Sequence, residues 1–317
     1  MTAIILAAGK GKRMGSILPK VLQSLLGKPM ILYIARAVQH FSPEETIIVA
    51  NPEGVDFLKE ILGNETTKYV IQPEATGTAD AVKRCAKEVA TRRVMILCGD
   101  VPLIRPQTLS QMIALHQSSG AAATLLSTEL PDPSGYGRVI RNGDGTVRRI
   151  VEHKDATSLE KEIREINSGT YIFETSLLFN SLQKVDPSPV TGEYYLTDVI
   201  SMMVDEGHRV EALKIDDRTE VMGINDPAAL RQVENVFRER LINEWLRSGV
   251  RIENPQMVEV EGDVTLFAGS QVTGRVTLKG ATSVGAASSI GPYVQLEDTV
   301  VEGSNYIKGV RSKKSSS

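Results

Sequence analysis

The sequence predicts an α/β protein: a mostly parallel sheet with helices on both faces, followed by a short parallel β-helix. Two observations carry this. Up to about residue 130, short apolar runs alternate with segments of helical spacing. Beyond Gly249 a six-residue period takes over.

In order along the chain, residues 3–8, 46–50, 68–72, 94–98 and 121–127 read as buried strands. Residues 30–40, 55–62, 78–90 and 107–118 read as the helices between them. In such sheets ligands bind beyond the carboxyl ends of the strands, which directs attention to residues 9–13, 73–78 and 99–102. Turn clusters at 131–135 and 142–145 follow, the second lying between two strand-like runs and predicting a hairpin over 138–151. Asp226-Pro227 then opens a long helix ending near Gly249, with Leu230, Val233, Phe237, Leu241 and Trp245 on its apolar face.

The periodic region places Val260, Leu266, Val272, Leu278, Val284, Ile290 and Leu296 six residues apart. Four positions after each comes a small or β-branched residue, from Val264 to Val300. One apolar residue per flat face is the mark of a parallel β-helix. The next position in register is Glu302, where the repeat is expected to stop. The expected organisation is therefore a domain over 1–226, a linker helix over 227–249, the β-helix over 250–303 and a disordered tail over 304–317.

Composition excludes several function classes. The 317 residues are 41% hydrophobic and 24% charged with a net charge of −3, so a nucleic-acid-binding surface is not expected. Cys85 and Cys98 make neither a disulfide framework nor a zinc site. No apolar run reaches the roughly 20 residues of a membrane span, and no leader pattern is present, so the cytoplasm is the default location.

Four constellations could carry chemistry. Residues 6–14 (Leu-Ala-Ala-Gly-Lys-Gly-Lys-Arg-Met) and Lys20 combine two glycines with four cations. Backbone N–H groups there can approach phosphate oxygens, with Lys10, Lys12, Arg13 and Lys20 as countercharge. The spacing fits neither a Walker loop nor a dinucleotide fingerprint, and a basic surface turn is the alternative. Gln72 to Ala81 runs from a strand end to a helix start. Gln72 can offer donor and acceptor to a base edge while Gly77 allows close backbone approach, although a capped helix start explains the segment equally well. Asp100, directly after an apolar strand, suits a Mg²⁺ held with phosphates, or else a cap. Glu152 and Asn167 are polar types that read sugar hydroxyls and amides; turn chemistry is the alternative. With four histidines and no Cys–His dyad, histidine acid–base work is not expected.

The loop, Lys20, Gln72…Gly77-Thr78 and Gly99-Asp100 resemble sugar-phosphate nucleotidylyltransferases. Residues 135–138 (GYGR), 150–156 (IVEHKDA), 165–169 (EINSG) and 192–198 (GEYYLTD) resemble N-acetylglucosamine-1-phosphate uridylyltransferase, the N-terminal half of the bifunctional GlmU enzymes. The resemblance covers nearly the whole chain to about residue 300. It implies a Rossmann-like nucleotidyltransferase domain followed by a left-handed β-helix.

It further implies that Leu6, Ala7, Ala8 and Gly9 cradle UTP, with Gln72 and Gly77 on uracil and Arg13 and Lys20 on the phosphates. Asp100 and Asn225 would hold Mg²⁺. Thr78, Gly137, Glu152 and Asn167 would hold N-acetylglucosamine 1-phosphate, Thr78 also bordering the nucleotide. Lys12 replaces a usual threonine, and Cys98 stands where some members have tyrosine. Seven hexapeptides give little over two coils at 18 residues each. No acetyltransferase activity is expected, because members with it carry many further coils. Left-handed β-helices of this type associate in threes, which makes a homotrimer the expected assembly if so short an interface suffices. The alternatives are another pairing, such as UTP or dTTP with glucose 1-phosphate, and a non-catalytic sugar-nucleotide sensor.

Overall fold

The structure, a computed structural model, describes residues 1–9, 11–15, 18–63 and 66–309. It divides into two compact units. The first holds residues 1–23 and 30–227; the second holds Ser24–Pro29 and the described residues from Ala228 onward.

In chain order the strands up to residue 215 begin with β1 (Thr2–Ala7), the short β2 (Ser24–Leu25) and β3 (Lys28–Pro29), β4 (Glu45–Ala50) and β5 (Thr67–Ile71). They continue with β6 (Arg93–Cys98), β7 (Ala123–Glu129), β8 (Arg138–Arg141), β9 (Val147–Val151), β10 (Glu165–Glu174) and β11 (Val210–Ile215). The helices are α1 (Ile31–Gln39), α2 (Val55–Leu62), α3 (Thr78–Lys83), α4 (Pro106–Ser119), α5 (Ser158–Lys161), α6 (Thr175–Leu182), α7 (Asp198–Asp205) and α8 (Pro227–Arg247).

The first unit is built on a sheet of order β11-β7-β10-β6-β1-β4-β5. β1 pairs in parallel with β4 and β6, so the run Ala3-Ile4-Ile5 is buried on both faces and reads as continuously apolar. Helix α1 buries Ile31, Ile34, Ala37 and Val38, a spacing of three to four. Pro106 opens α4 and Gly120, at φ +62°, closes it, the usual asymmetry of helix ends. The segment expected to be helical over 78–90 is α-helical to Lys83 and tightens to a 3-10 turn over Arg84–Lys87.

β10 runs antiparallel to both β6 and β7 at the centre of the sheet, and the hairpin β8–β9 joins its start through Ile166 and Arg138. Its register breaks between Asn167 and Tyr171. The bulge brings Asn167-Ser168-Gly169 to the carboxyl end of β6, where a Cβ on Gly169 would lie 2.8 Å from Cys98 Sγ. Bulges of this kind re-aim side chains at the edge of a sheet.

In the second unit, three parallel stacks of four, three and three strands form the faces of a β-helix, consistent with the left-handed type. The described residues thus make about three coils, not the little over two expected. The ladder also passes beyond residue 303: Tyr306–Ile307 pairs in parallel with Ser289–Ile290. The cause is one missing residue. Thr265 pairs with Ser283 at a separation of 18, but Ser283 pairs with Val300 at 17. The apolar position that the six-residue count placed at Glu302 therefore falls on Val301, 4% exposed, while Val300 is 72% exposed. Six residues on, Ile307 is buried again. Tyr306 and Ile307 thus belong to the fold, and residues 310–317 of the expected tail lie outside the described residues. Ile242 and Trp245 of α8 share the core of the β-helix.

Candidate active site

Five polar or glycine-bearing segments meet at the carboxyl edge of the first unit's sheet. β1 ends into Ala8-Gly9, β4 into Asn51, β5 into Gln72 and β6 into Gly99-Asp100, and the bulge of β10 supplies Asn167-Ser168-Gly169. Parallel strands all deliver their exits to one edge, which is why residues far apart in sequence gather here.

The loop after β1 is held from two sides. Asn51 Nδ2 donates to Ala8 O at 3.2 Å, and Asn51 Oδ1 accepts from Gly54 N–H at 2.7 Å. Gly99 N–H donates to Leu6 O at 2.9 Å, and a Cβ on Gly99 would sit 2.9 Å from that same oxygen. Gly11 and Gly15 take φ values of +58° and +62° around the turn Lys12–Met14, conformations that favour glycine. Lys10 lies outside the described residues. Arg13 is exposed and makes no ion pair among the described residues.

Lys20 is the cationic centre. Its Nζ pairs with Asp100 Oδ2 and donates to Asn225 Oδ1 at 2.9 Å. Two hard oxygen donors, 125 residues apart in sequence, thus converge on one positive atom. The backbone braces this arrangement, since Ile224 N–H donates to Asp100 O at 2.9 Å.

The segment after β5 is clasped by residues 194–196. Tyr194 N–H donates to Thr76 O at 2.8 Å, and Ala79 N–H donates to Tyr194 O at 2.9 Å. Leu196 N–H donates to Thr78 Oγ1 at 3.1 Å. Gly77 lies under this clasp with φ +125°, and an added Cβ would come within 2.3 Å of Tyr194 O. Gln72 is buried, and its Nε2 donates to Gly77 O and to Asp80 Oδ2, both at 3.0 Å. It therefore offers a ligand only its acceptor oxygen, not the donor and acceptor expected from sequence. Thr78 is exposed.

Gly137, Glu152 and Asn167 also come together. Asn167 N–H donates to Gly137 O at 2.9 Å, and a Cβ on Gly137 would lie 3.5 Å from Glu152 Oε2. Asn167 Nδ2 donates to Tyr171 Oη at 2.5 Å. Glu152 Oε1 accepts from Thr197 Oγ1 at 3.0 Å. Burial raises the Glu152 carboxyl above its ordinary range; Asp198, Asp155 and Glu193 add to this, and the Thr197 hydroxyl opposes it. Burial likewise pushes the Cys98 thiol up to about 12, so it is no nucleophile at neutral pH. Behind this group the buried Arg138 donates to Tyr136 O and Lys161 O and meets His153 Nδ1 at 3.3 Å.

The nucleotidyl transferase family pattern matches residues 2–245. The chain is 39% identical over 308 residues to the bifunctional protein GlmU of Halalkalibacterium halodurans, covering 96% of this chain and 67% of the relative. It is 37% identical over 321 residues to GlmU of Streptococcus agalactiae serotype III, covering 97% and 70%. The chain belongs to the GlmU family of nucleotidyltransferases.

The chain spans about two thirds of the length of these GlmU relatives, and 58% of that from Pelotomaculum thermopropionicum, which is 43% identical over 266 residues and covers 83% of this chain. A solved UDP-glucose pyrophosphorylase complexed with UDP-glucose shares the fold at a TM-score of 0.62 and 17% identity, covering 75% of this chain and 98% of that one. No helix among the described residues is long and apolar enough to cross a membrane.

Every described residue expected at the site of this nucleotidyltransferase lies in the first unit, in the groups just given. Sequence reasoning missed Asn51, and within the segments 72–81 and 192–198 it gave no role to Asp80 or Tyr194. Asn51 was legible as the polar residue following an apolar strand, the same signal that singled out Asp100. Tyr194 acts through its backbone and has no side-chain signal.

Proposed function

We propose that this enzyme transfers UMP from UTP to N-acetyl-α-D-glucosamine 1-phosphate, giving UDP-N-acetylglucosamine and pyrophosphate. The observation that carries the reading is the convergence of Lys20, Asp100 and Asn225 beside the β1 loop, on the same sheet edge as Gln72 and the Gly137–Glu152–Asn167 group.

The chemistry needs little from the protein beyond position and charge. The sugar phosphate is already an anionic nucleophile at neutral pH. Its oxygen attacks the α-phosphorus of UTP in line, forming one P–O bond as the α–β bridging P–O bond breaks and pyrophosphate leaves. Backbone N–H groups of Leu6 to Gly9 cradle the triphosphate, and Arg13 and Lys20 neutralise charge that grows in the transition state. Gln72 and Gly77 take the uracil edge. Thr78, Gly137, Glu152 and Asn167 take the acetamido sugar, Thr78 also bordering the nucleotide.

Asp100 and Asn225 suit a Mg²⁺, because their two oxygens already converge on a cation, the Lys20 ammonium. Mg²⁺ commonly takes one or two carboxylates and completes its shell with phosphate and water, and it would supply charge neutralisation at the phosphates. A nucleoside triphosphate substrate fits a cytoplasmic site of action, and a homotrimer through the β-helix is the assembly we expect, read by light scattering across a dilution series.

The test uses UTP labelled at the α-phosphate. With N-acetylglucosamine 1-phosphate and Mg²⁺, label passes into the nucleotide sugar, and chelation of the metal stops it. Binding of UDP-N-acetylglucosamine without any such transfer favours the sensor reading instead.

A further inference from the structure

The clasped segment after β5 contains a carboxylate that the reading above does not use. Asp80, in the first turn of α3, is half-buried, and its Oδ2 accepts three hydrogen bonds: from Gln72 Nε2 at 3.0 Å, Thr76 Oγ1 at 2.8 Å and Arg84 Nε at 2.8 Å. Burial works against its charge, yet the bonds from Arg84, Gln72 and Thr76 hold the carboxyl below its ordinary range.

Gln72 stands between two groups that only accept, the Gly77 carbonyl and the Asp80 carboxylate. A glutamine amide has one donor side and one acceptor side, so both acceptors draw Nε2 toward themselves. Turning the amide over would set Oε1 against two oxygens. The result is a side chain only 4% exposed whose Oε1 meets no donor among the described residues. Beside it, the Gly77 N–H has no acceptor among the described residues. The two together present one acceptor and one donor.

We propose that Asp80 is a positioning residue for base selection: by fixing the Gln72 amide it makes the site accept a pyrimidine bearing an N3–H and reject one whose N3 is an acceptor. The inference rests on the reading of this site as the UTP site. Uracil offers N3–H and O4 to Gln72 Oε1 and Gly77 N–H. Cytosine held in the same placement sets acceptor against acceptor and donor against donor, a mismatch at both atoms.

The experiment measures kcat/KM for UTP and for CTP with N-acetylglucosamine 1-phosphate, in the parent chain and in Asp80→Ala and Asp80→Asn. Asparagine retains an acceptor oxygen for Gln72 and is expected to keep the UTP preference within a few-fold. Alanine removes it, and the UTP-to-CTP ratio is expected to fall about tenfold or more, the effect of one charge-assisted bond. Asp80→Ser is read the same way as alanine, so that a poorly folding alanine chain does not decide the matter. Loss of activity toward both nucleotides in equal proportion means a merely structural role and overturns the proposal. A parent chain that does not prefer UTP overturns the underlying reading instead.

Discussion

Replacing Gly77 by alanine tests how the base-side and sugar-side segments are held together. The new Cβ would lie 2.3 Å from Tyr194 O, 2.5 Å from its N and 2.8 Å from its C, all backbone atoms that cannot rotate away. The φ of +125° adds strain of about 1–3 kcal/mol for a residue with a side chain. Overpacking of a fixed neighbour costs a further ~1–3 kcal/mol. The clasp is made by three hydrogen bonds to residues 194–196, worth roughly 1.5–4.5 kcal/mol in all. Opening it costs about as much as tolerating the clash, which totals about 2–6 kcal/mol, and it alone also frees the backbone to leave the strained φ. The fold should survive while residues 76–79 and 194–196 separate. Gly77→Ala is therefore expected to lower kcat/KM for UTP by about 10²-fold or more, as misplacement of a binding segment does. Its stability loss should be confined to about the value of the clasp. Steady-state kinetics and denaturant unfolding on the same sample decide it. Unchanged kinetics would refute the clasp, and wholesale unfolding would refute the comparison of costs.

Three further outcomes follow from the same structure. In the β-helix, Val301→Asp places a carboxylate in the core and should destabilise the second unit by several kcal/mol, whereas Val300→Asp should change stability by about 0.5 kcal/mol or less; melting of the two variants reads the 17-residue register directly. Lys20→Met should cut turnover by about 10²-fold or more with a small change in melting temperature, checked by initial rates at saturating substrate. His116 is buried, its Nδ1 2.9 Å from Thr124 Oγ1, and burial followed by the Arg93 charge lowers its pKa below the ordinary 6.5. The unfolded chain thus binds the proton more readily, so this contribution to stability is full above about 6.5 and is lost as pH falls through the lower folded value. Melting temperatures measured downward from pH 7 should fall less steeply in His116→Gln than in the parent.

Legibility differed from element to element for physical reasons. β1, β4 and β6 are buried over most of their length, so their sequences are apolar beyond the first one or two residues and their ends were read to within one residue. The hairpin β8–β9 was legible because its turn residues sit between two apolar-bearing runs. β10 was not, because the four residues at its bulge, Asn167 to Thr170, are polar or glycine and interrupt any strand pattern. The same bulge that hides the strand brings Asn167 beside Gly137 and Glu152. The single-residue deletion before Val301 is invisible to a fixed six-residue count, though Val301 and Ile307 keep the count once it is restarted. In the site, Asp100 and Gln72 stood out as polar residues after strand exits, but the direction of the Gln72 amide depends on Asp80, eight residues along, and on a fold that brings both acceptors to it.

The proposed activity is defined by the base and the sugar that the site joins. Pyrophosphate release measured for UTP, CTP and dTTP, each against N-acetylglucosamine 1-phosphate, glucose 1-phosphate and glucosamine 1-phosphate, tests it most directly. The highest kcat/KM is expected for UTP with N-acetylglucosamine 1-phosphate. A higher kcat/KM with glucose 1-phosphate, for any of the nucleotides, would contradict the assignment of Glu152 and Asn167 to an acetamido sugar.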